Sequence, residues 1–276
     1  MPICLTCPHS CNLSEGQLGL CRARRATAED VVSESYGRIT SLALDPIEKK
    51  PIARWNGGKT VLSLGGYGCN MRCAFCQNAS IAQVGAADVE WREYAPKEIV
   101  DIALDLLKRA CIGIAYTYNE PLVSWEFVHD TATLAHEAGL KNVMVSNGMA
   151  NQRIVEGLAP LIDAANIDLK CFTNDGYKSL GGDLATVRNT IALLADTPNC
   201  HLEVTTLVVP GLSDDEEQID SIARWLASLD PAIVYHLTRF FPQHRMRNAN
   251  PTPVQALHRL KAVASRHLQD VVLGNV

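Results

Sequence analysis

The sequence contains no run of about 18 apolar residues, so it offers no candidate membrane-spanning helix. Its opening residues, Met1-Pro2-Ile3-Cys4, lack the basic and then apolar stretches of a secretory signal. A soluble, cytoplasmic protein with no membrane partner is expected. An excess of basic charge is also missing: 25 Lys and Arg against 30 Asp and Glu leave a net charge of -5. That balance argues against nucleic acid as a partner, because binding through a broad basic surface requires the opposite sign. Repeats, low-complexity tracts and charge runs are absent, which excludes solenoids and tail-like interaction segments. With 47% hydrophobic and 20% charged residues the chain is not disordered, and 276 residues suit one large domain, alone or with a small appendage.

Cysteine, by contrast, is plentiful. Of 10 cysteines, Cys4, Cys7, Cys11 and Cys21 lie near the start, Cys69, Cys73 and Cys76 sit together, and Cys111, Cys171 and Cys200 are scattered. In a reducing compartment thiols stay free, bind metal or do chemistry. The two clusters have ligand-like spacing and point to metal. The scattered three read as small core residues, with Cys171 as a possible substrate-facing thiol because it follows Asp168-Leu169-Lys170.

Residues 1–58 are rich in Cys, Arg and turn formers, with a short strand expected over 36–44. Asp45-Pro-Ile-Glu-Lys-Lys-Pro51 and Asn56-Gly-Gly58 then mark a junction by their prolyl and glycine turns. From Thr60 onward strands and helices alternate. Strands are expected over 60–65, 112–117, 142–146, 164–170, 202–209, 233–240 and 271–273, and helices over 97–109, 123–138, 152–158, 187–194, 214–228 and 254–267. Ser213-Asp-Asp-Glu216 reads as a capping box for one of them. The fold class expected is α/β: a partial (β/α)6 barrel of the TIM type over 59–276, preceded by a small Cys-rich metal-binding segment over 1–58.

Gly65-Gly-Tyr-Gly-Cys69-Asn-Met-Arg-Cys73-Ala-Phe-Cys76 follows the first barrel strand. Three thiolates hold three irons of a [4Fe–4S] cube and leave the fourth open to an exogenous ligand. The amino and carboxylate groups of S-adenosylmethionine (SAM) supply such a ligand, and one electron then frees a 5′-deoxyadenosyl radical, chemistry that belongs to the cofactors. A tetrahedral zinc completed by a distant residue is the alternative, but structural zinc prefers four protein ligands, often as two separated pairs.

The spacing C-x3-C-x-aromatic-C, with Phe75 as the aromatic, resembles the signature of the radical SAM superfamily. The resemblance runs through nearly the whole chain and is nearest the radical SAM component of the AmmeMemoRadiSam system, itself similar to pyruvate formate-lyase activating enzymes. It is carried by Cys4-Leu-Thr-Cys7-Pro-His-Ser-Cys11, Asp45–Pro51, Gly68–Asn78, Tyr116-Thr-Tyr-Asn-Glu-Pro121, Asn147-Gly148, Asn166–Lys170 and His236-Leu-Thr-Arg-Phe-Phe-Pro242. What it implies is SAM on an open iron at Cys69/Cys73/Cys76, an electron donor such as flavodoxin or ferredoxin, and an unidentified small-molecule or protein substrate.

Parallel sheets carry their sites at strand carboxyl ends, and four polar groups stand there. By resemblance Asn119 and Glu120 take the place of a Gly-Gly-Glu segment holding the SAM ammonium; a carboxylate favouring a helix dipole is the plain alternative. Asn147, ending the third strand, is a SAM contact or a turn residue. Asp168 and Lys170 share one strand face, and the resemblance puts them by the SAM ribose and carboxylate, with a structural ion pair as the alternative. His236 would point at SAM by the same resemblance, although a lone histidine is commonly a core residue. Glu203 and Thr205 are expected to line the same mouth.

Cys4, Cys7, Cys11 and Cys21 close a full thiolate shell, which suits zinc or a second [4Fe–4S] cluster equally in spacing. Two other functions compete with a radical SAM enzyme of AmmeMemoRadiSam type. One is an activating enzyme for a glycyl-radical partner, against which stand Tyr118-Asn119-Glu120 in place of Gly-Gly-Glu and the four N-terminal cysteines. The other is a non-enzymatic iron–sulfur electron carrier, which requires no open iron.

Overall fold

The computed structural model describes residues 1–276. Short apolar strands alternating with amphipathic helices form one eight-stranded sheet: β1 (Ser41–Pro46), β2 (Thr60–Gly65), β3 (Cys111–Tyr116), β4 (Lys141–Ser146), β5 (Ala164–Asp168), β6 (His201–Val208), β7 (Val234–Arg239) and β8 (Val271–Gly274). Spatial order follows chain order from β1 to β8, so the sheet winds one way and its two outer strands do not pair. β2 to β8 run parallel, and β1 lies antiparallel on β2. The main helices are α1 (Pro96–Asp105), α2 (Trp125–Glu137), α3 (Gln152–Leu158), α4 (Leu184–Ala195), α5 (Glu216–Leu229) and α6 (Val254–Ala264), one long helix after each strand from β2 to β7, with short helices at Ala79–Ala82 and Asn174–Ser179. This is the partial (β/α)6 barrel the alternation predicts.

Local chemistry sets the helix ends. Pro96 opens α1, and Asp183 caps α4 by accepting from the Thr186 amide at 2.8 Å. The capping-box expectation at Ser213 is corrected: Asp215 caps α5, accepting from the amides of Glu217 and Gln218. Ser213 is instead fully buried and pins the loop after β6, accepting from the Val209 amide and donating to the Leu207 carbonyl.

The sheet extends ahead of Thr60 through β1, and the segment behind β1 folds into the barrel. Ile47 and Ile52 are fully buried against Val61, Ala115, Val143 and Ala164, side chains of four successive strands. A larger apolar cluster fills the space between the sheet's outer face and the helices. Residues 47–55 therefore plug the lower end of the lumen. Glu203, expected at the mouth, holds this plug instead: its buried carboxylate accepts from the amides of Ala53 (2.9 Å) and Arg54 (2.8 Å), and it meets Nε2 of His201 (2.8 Å) and of His236. Glu203 is the third residue of β6, near the amino end of a parallel strand, whereas the mouth lies at the carboxyl ends. Asn166 Nδ2 donates to the Pro51 carbonyl at 2.8 Å, and Arg54 pairs with Asp270, just ahead of β8.

Burial opposes ionisation of Glu203, but the hydrogen bonds from His201, His236 and the two amides outweigh it and hold its pKa at about 2. A depressed carboxylate contributes stability above its unfolded pKa and loses it as pH falls through the folded one. Glu203→Gln should therefore cost about 3 kcal/mol at pH 7. Denaturant titrations of both proteins across the acid range check this: the gap between them should narrow below about pH 4.5 and close near pH 2.

Candidate active site

The loop leaving β2 carries the three clustered cysteines. It is pressed against the N-terminal lobe at Gly68, whose φ is +85°; a Cβ there would stand 2.4 Å from the Cys21 carbonyl oxygen. Only glycine satisfies both the left-handed backbone and that approach. The loop is fixed from other sides by hydrogen bonds from the Arg72 amide to the Leu180 carbonyl (2.7 Å) and from the Arg245 amide to the Ala74 carbonyl (2.9 Å). Phe75 is buried in the main core, against which Cys69 and Cys76 also pack.

Cys73 is buried, and Cys69 and Cys76 are half-buried. Burial pushes the Cys69 thiol well up, and the neighbouring Glu120, Cys73 and Cys76 push it further. Burial also raises Cys73, to about 11, against the pull of Lys170. Three thiols whose ionisation is opposed by burial and by one another are matched by a cationic centre, which deprotonates coordinating thiols outright. The Met71 amide (3.4 Å) and Asn147 Nδ2 (3.5 Å) donate to Cys69 Sγ, the kind of contact that tunes an iron–sulfur centre. The donor set thus fits a [4Fe–4S] cluster.

Around this loop stand the strand-end groups. Glu120, after β3, is buried, and its carboxylate accepts from the Leu122 amide (3.0 Å), Ser146 Oγ (2.7 Å) and the Asn147 amide (2.8 Å). Burial still pushes it up to about 7. Asn147 joins Glu120 to the cluster loop, since its side chain also donates to Asn70 Oδ1 at 3.0 Å. Asn119 spends its side chain on backbone: Oδ1 accepts from the Gly66 amide, while Nδ2 donates to the carbonyls of Tyr67 and Gly68. It shapes the glycine loop. Lys170 and Asp168 form an ion pair at 2.6 Å beside Cys73 and Cys76. Burial would lower the Lys170 pKa, but Asp168 and Cys73 outweigh it and raise it, so the ammonium stays charged. His236 lies in register with Thr205 and Asp168 across β7, β6 and β5, and its Nε2 turns toward Glu203 and the plug.

Sequence reasoning passed over two groups. Lys50 of the plug is buried, bonds Asp45 Oδ2 at 2.7 Å and lies 4.6 Å over the ring of Tyr118, whose hydroxyl donates to the same carboxylate. Tyr118 holds φ +70°, a conformation bulky residues rarely adopt. The signal was the acid and lysine five positions apart within an otherwise prolyl loop. Asn70, inside the cysteine loop, is the second: Nδ2 donates to the Met149 carbonyl at 2.6 Å, and its own carbonyl lies 2.8 Å from His9 Nε2.

In the N-terminal lobe Cys4, Cys7 and Cys21 are buried and Cys11 half-buried. Burial and the nearby thiols Cys21 and Cys4 push Cys7 up to about 12. The lobe is tied to α2 by a two-pronged ion pair from Arg24 to Glu126, at 2.7 and 2.9 Å. A cavity of about 540 Å³ opens beside Cys21, lined by Arg22, Arg25, Arg72, Glu34 and Asp88 among others. Cys111 and Cys171 are core residues; Cys200 packs against the core partly buried. No helix is long and apolar enough to cross a membrane.

The chain is 36% identical over 275 residues to an uncharacterized protein of Methanocaldococcus jannaschii, covering 99% of this chain and 81% of that one. It is 25% identical over 203 residues to the pyruvate formate-lyase-activating enzyme of Clostridium pasteurianum, covering 70% and 77%. The crystal structure of Streptococcus suis SuiB bound to S-adenosylmethionine shares the fold, with a TM-score of 0.60 at 14% identity over 78% of this chain and 52% of that longer one. The model of the radical SAM superfamily matches residues 64–226, a span that starts in β2, takes in the cysteine loop and runs into α5. A partial barrel with three clustered cysteines at its mouth, matched by that model over more than half its length, belongs to the radical SAM superfamily: the chain is an enzyme whose fold implies a [4Fe–4S] cluster and S-adenosylmethionine.

Proposed function

We propose that this enzyme acts in the AmmeMemoRadiSam manner, on an unidentified small molecule or protein, in the cytoplasm. The observation that carries the reading is the gathering of Cys69, Cys73, Cys76, Glu120, Asn147, Asp168 and Lys170 around one mouth. When bound, a [4Fe–4S] cluster with SAM would supply one-electron radical chemistry for hydrogen abstraction at this mouth. Cys69, Cys73 and Cys76 would hold the cluster. Glu120 and the neighbouring carbonyls suit the SAM ammonium, and the Asp168–Lys170 pair suits its ribose diol and carboxylate. Asn119 and Asn147 position these groups, Phe75 anchors the loop, and His236 holds the Glu203 carboxylate that clasps the plug.

A low-potential electron donor such as flavodoxin or ferredoxin is the expected partner; the arginine-lined cavity beside Cys21 suits an acidic carrier. Cys4, Cys7, Cys11 and Cys21 are proposed to hold a second metal centre, iron–sulfur or zinc. Similarity to the pyruvate formate-lyase-activating enzyme keeps a second reading in view, a glycyl-radical activase. Against it stands Tyr118-Asn119-Glu120, with Tyr118 in a left-handed conformation that glycine would adopt without strain. A glycyl radical signal in a partner protein would decide for the activase.

The anaerobically reconstituted protein should show a [4Fe–4S] spin-resonance signal that changes on adding SAM, and should release 5′-deoxyadenosine on reduction. A colourless, zinc-only protein would sink the reading. Asp168→Asn and Lys170→Met should each weaken SAM binding while retaining iron. Each also leaves a partly buried partner unpaired, at a cost of about 3 kcal/mol, so melting temperature is measured beside affinity. Normal SAM binding with earlier melting would make the pair a structural salt bridge.

A further inference from the structure

The N-terminal lobe has little apolar material to fold around. Its core is Leu13, Ala26, Val31 and the thiol of Cys4, with Cys11 packed against them. A segment with so small a core commonly folds around a metal. Its thiols converge: a Cβ on Gly19 would stand 3.8 Å from both Cys11 Sγ and Cys21 Sγ, and the Cys4 amide donates to the Cys11 carbonyl at 2.9 Å.

The lobe is also interleaved with the cysteine loop of the barrel. The Cys69 amide donates to the Cys21 carbonyl at 3.2 Å, so a residue of one thiol set is hydrogen-bonded to a residue of the other. The path runs from Cys21 Sγ through Cβ, Cα and C=O, across that hydrogen bond, and through N, Cα and Cβ to Cys69 Sγ. Asn70 makes a second bridge, since its amide group contacts Cys7 and also accepts from Asn147, which donates to Cys69 Sγ. His9 and Asn151 pin the lobe in place through the Asn70 carbonyl and the Leu5 and Thr6 carbonyls.

We propose that Cys4, Cys7, Cys11 and Cys21 hold a second [4Fe–4S] cluster that relays electrons to the three-cysteine site through the Cys21–Cys69 hydrogen bond. The inference rests on the radical SAM reading and adds the route by which its electron arrives. A zinc staple would serve the lobe anywhere on the surface, whereas a relay must adjoin the site it serves. One electron enters from a reduced flavodoxin or ferredoxin, passes to the second cluster and ends on SAM. There the S–C5′ bond breaks, leaving methionine and the 5′-deoxyadenosyl radical.

The test uses the full chain, reconstituted without oxygen. It should hold about eight irons and no zinc, two cubes of four. Reduction should give two spin-resonance signals broadened by mutual coupling, only one of them shifted by SAM. Cys7→Ser with Cys11→Ser should lose about four irons, keep the SAM-sensitive signal and lose the coupling. In stopped-flow absorbance, reduced flavodoxin should then reduce the remaining cluster more slowly. One zinc with about four irons overturns the proposal, as do two uncoupled signals or an unchanged reduction rate in the double variant. Metal content and coupling are read on the wild type, so they decide even where the variant does not fold. Absence of any SAM-sensitive signal would instead overturn the radical SAM reading itself.

Discussion

Burial of mutually repelling thiols is the constraint on which the mouth of this barrel depends. Cys69, Cys73 and Cys76 are held close by a loop anchored at Leu180, Arg245 and Asn119, in surroundings that disfavour thiolate. Nearby charge reinforces the effect through Glu120 and is opposed chiefly by Lys170. A cationic centre outweighs these penalties, because coordination deprotonates thiols outright. The amide donors at Cys69, the charged Lys170 and the buried Glu120 then form a consistent set, which they do not around three neutral thiols.

The same loop explains why the lobe sits where it does. Gly68 admits the Cys21 carbonyl at a distance no side chain would permit, and Arg24 clamps the far side of the lobe onto α2 through Glu126. Most of that guanidinium is out of water, so the pair derives its worth from two-pronged geometry and from further bonds to the Val31 and Val123 carbonyls.

The barrel was readily legible in the sequence because its strands are short apolar runs and its helices keep a 3.6-residue period. The strand expected over 60–65 is β2 residue for residue, and that over 112–117 differs from β3 by one position at each end. The cysteine loop was legible for a different reason, since ligand spacing is a local property. What escaped was set by distant partners. Nothing in the pattern around Glu203 announces that the amides of Ala53 and Arg54 close on it from about 150 residues away. The plug reads as a turn-rich connector because Ile47 and Ile52 follow no strand or helix period. Asn119 looks like a ligand in sequence and serves as a backbone clasp, because its amide meets the unpaired peptide groups of the glycine loop first.

The plug has a consequence for traffic. With Ile47, Ile52 and the Glu203 clasp sealing the lower end of the lumen, the chamber is a dead-end well and not a channel. Whatever enters the lumen must come in by the mouth and leave by it. A bulky macromolecule reaches the bottom of such a well only with a protruding loop or tail.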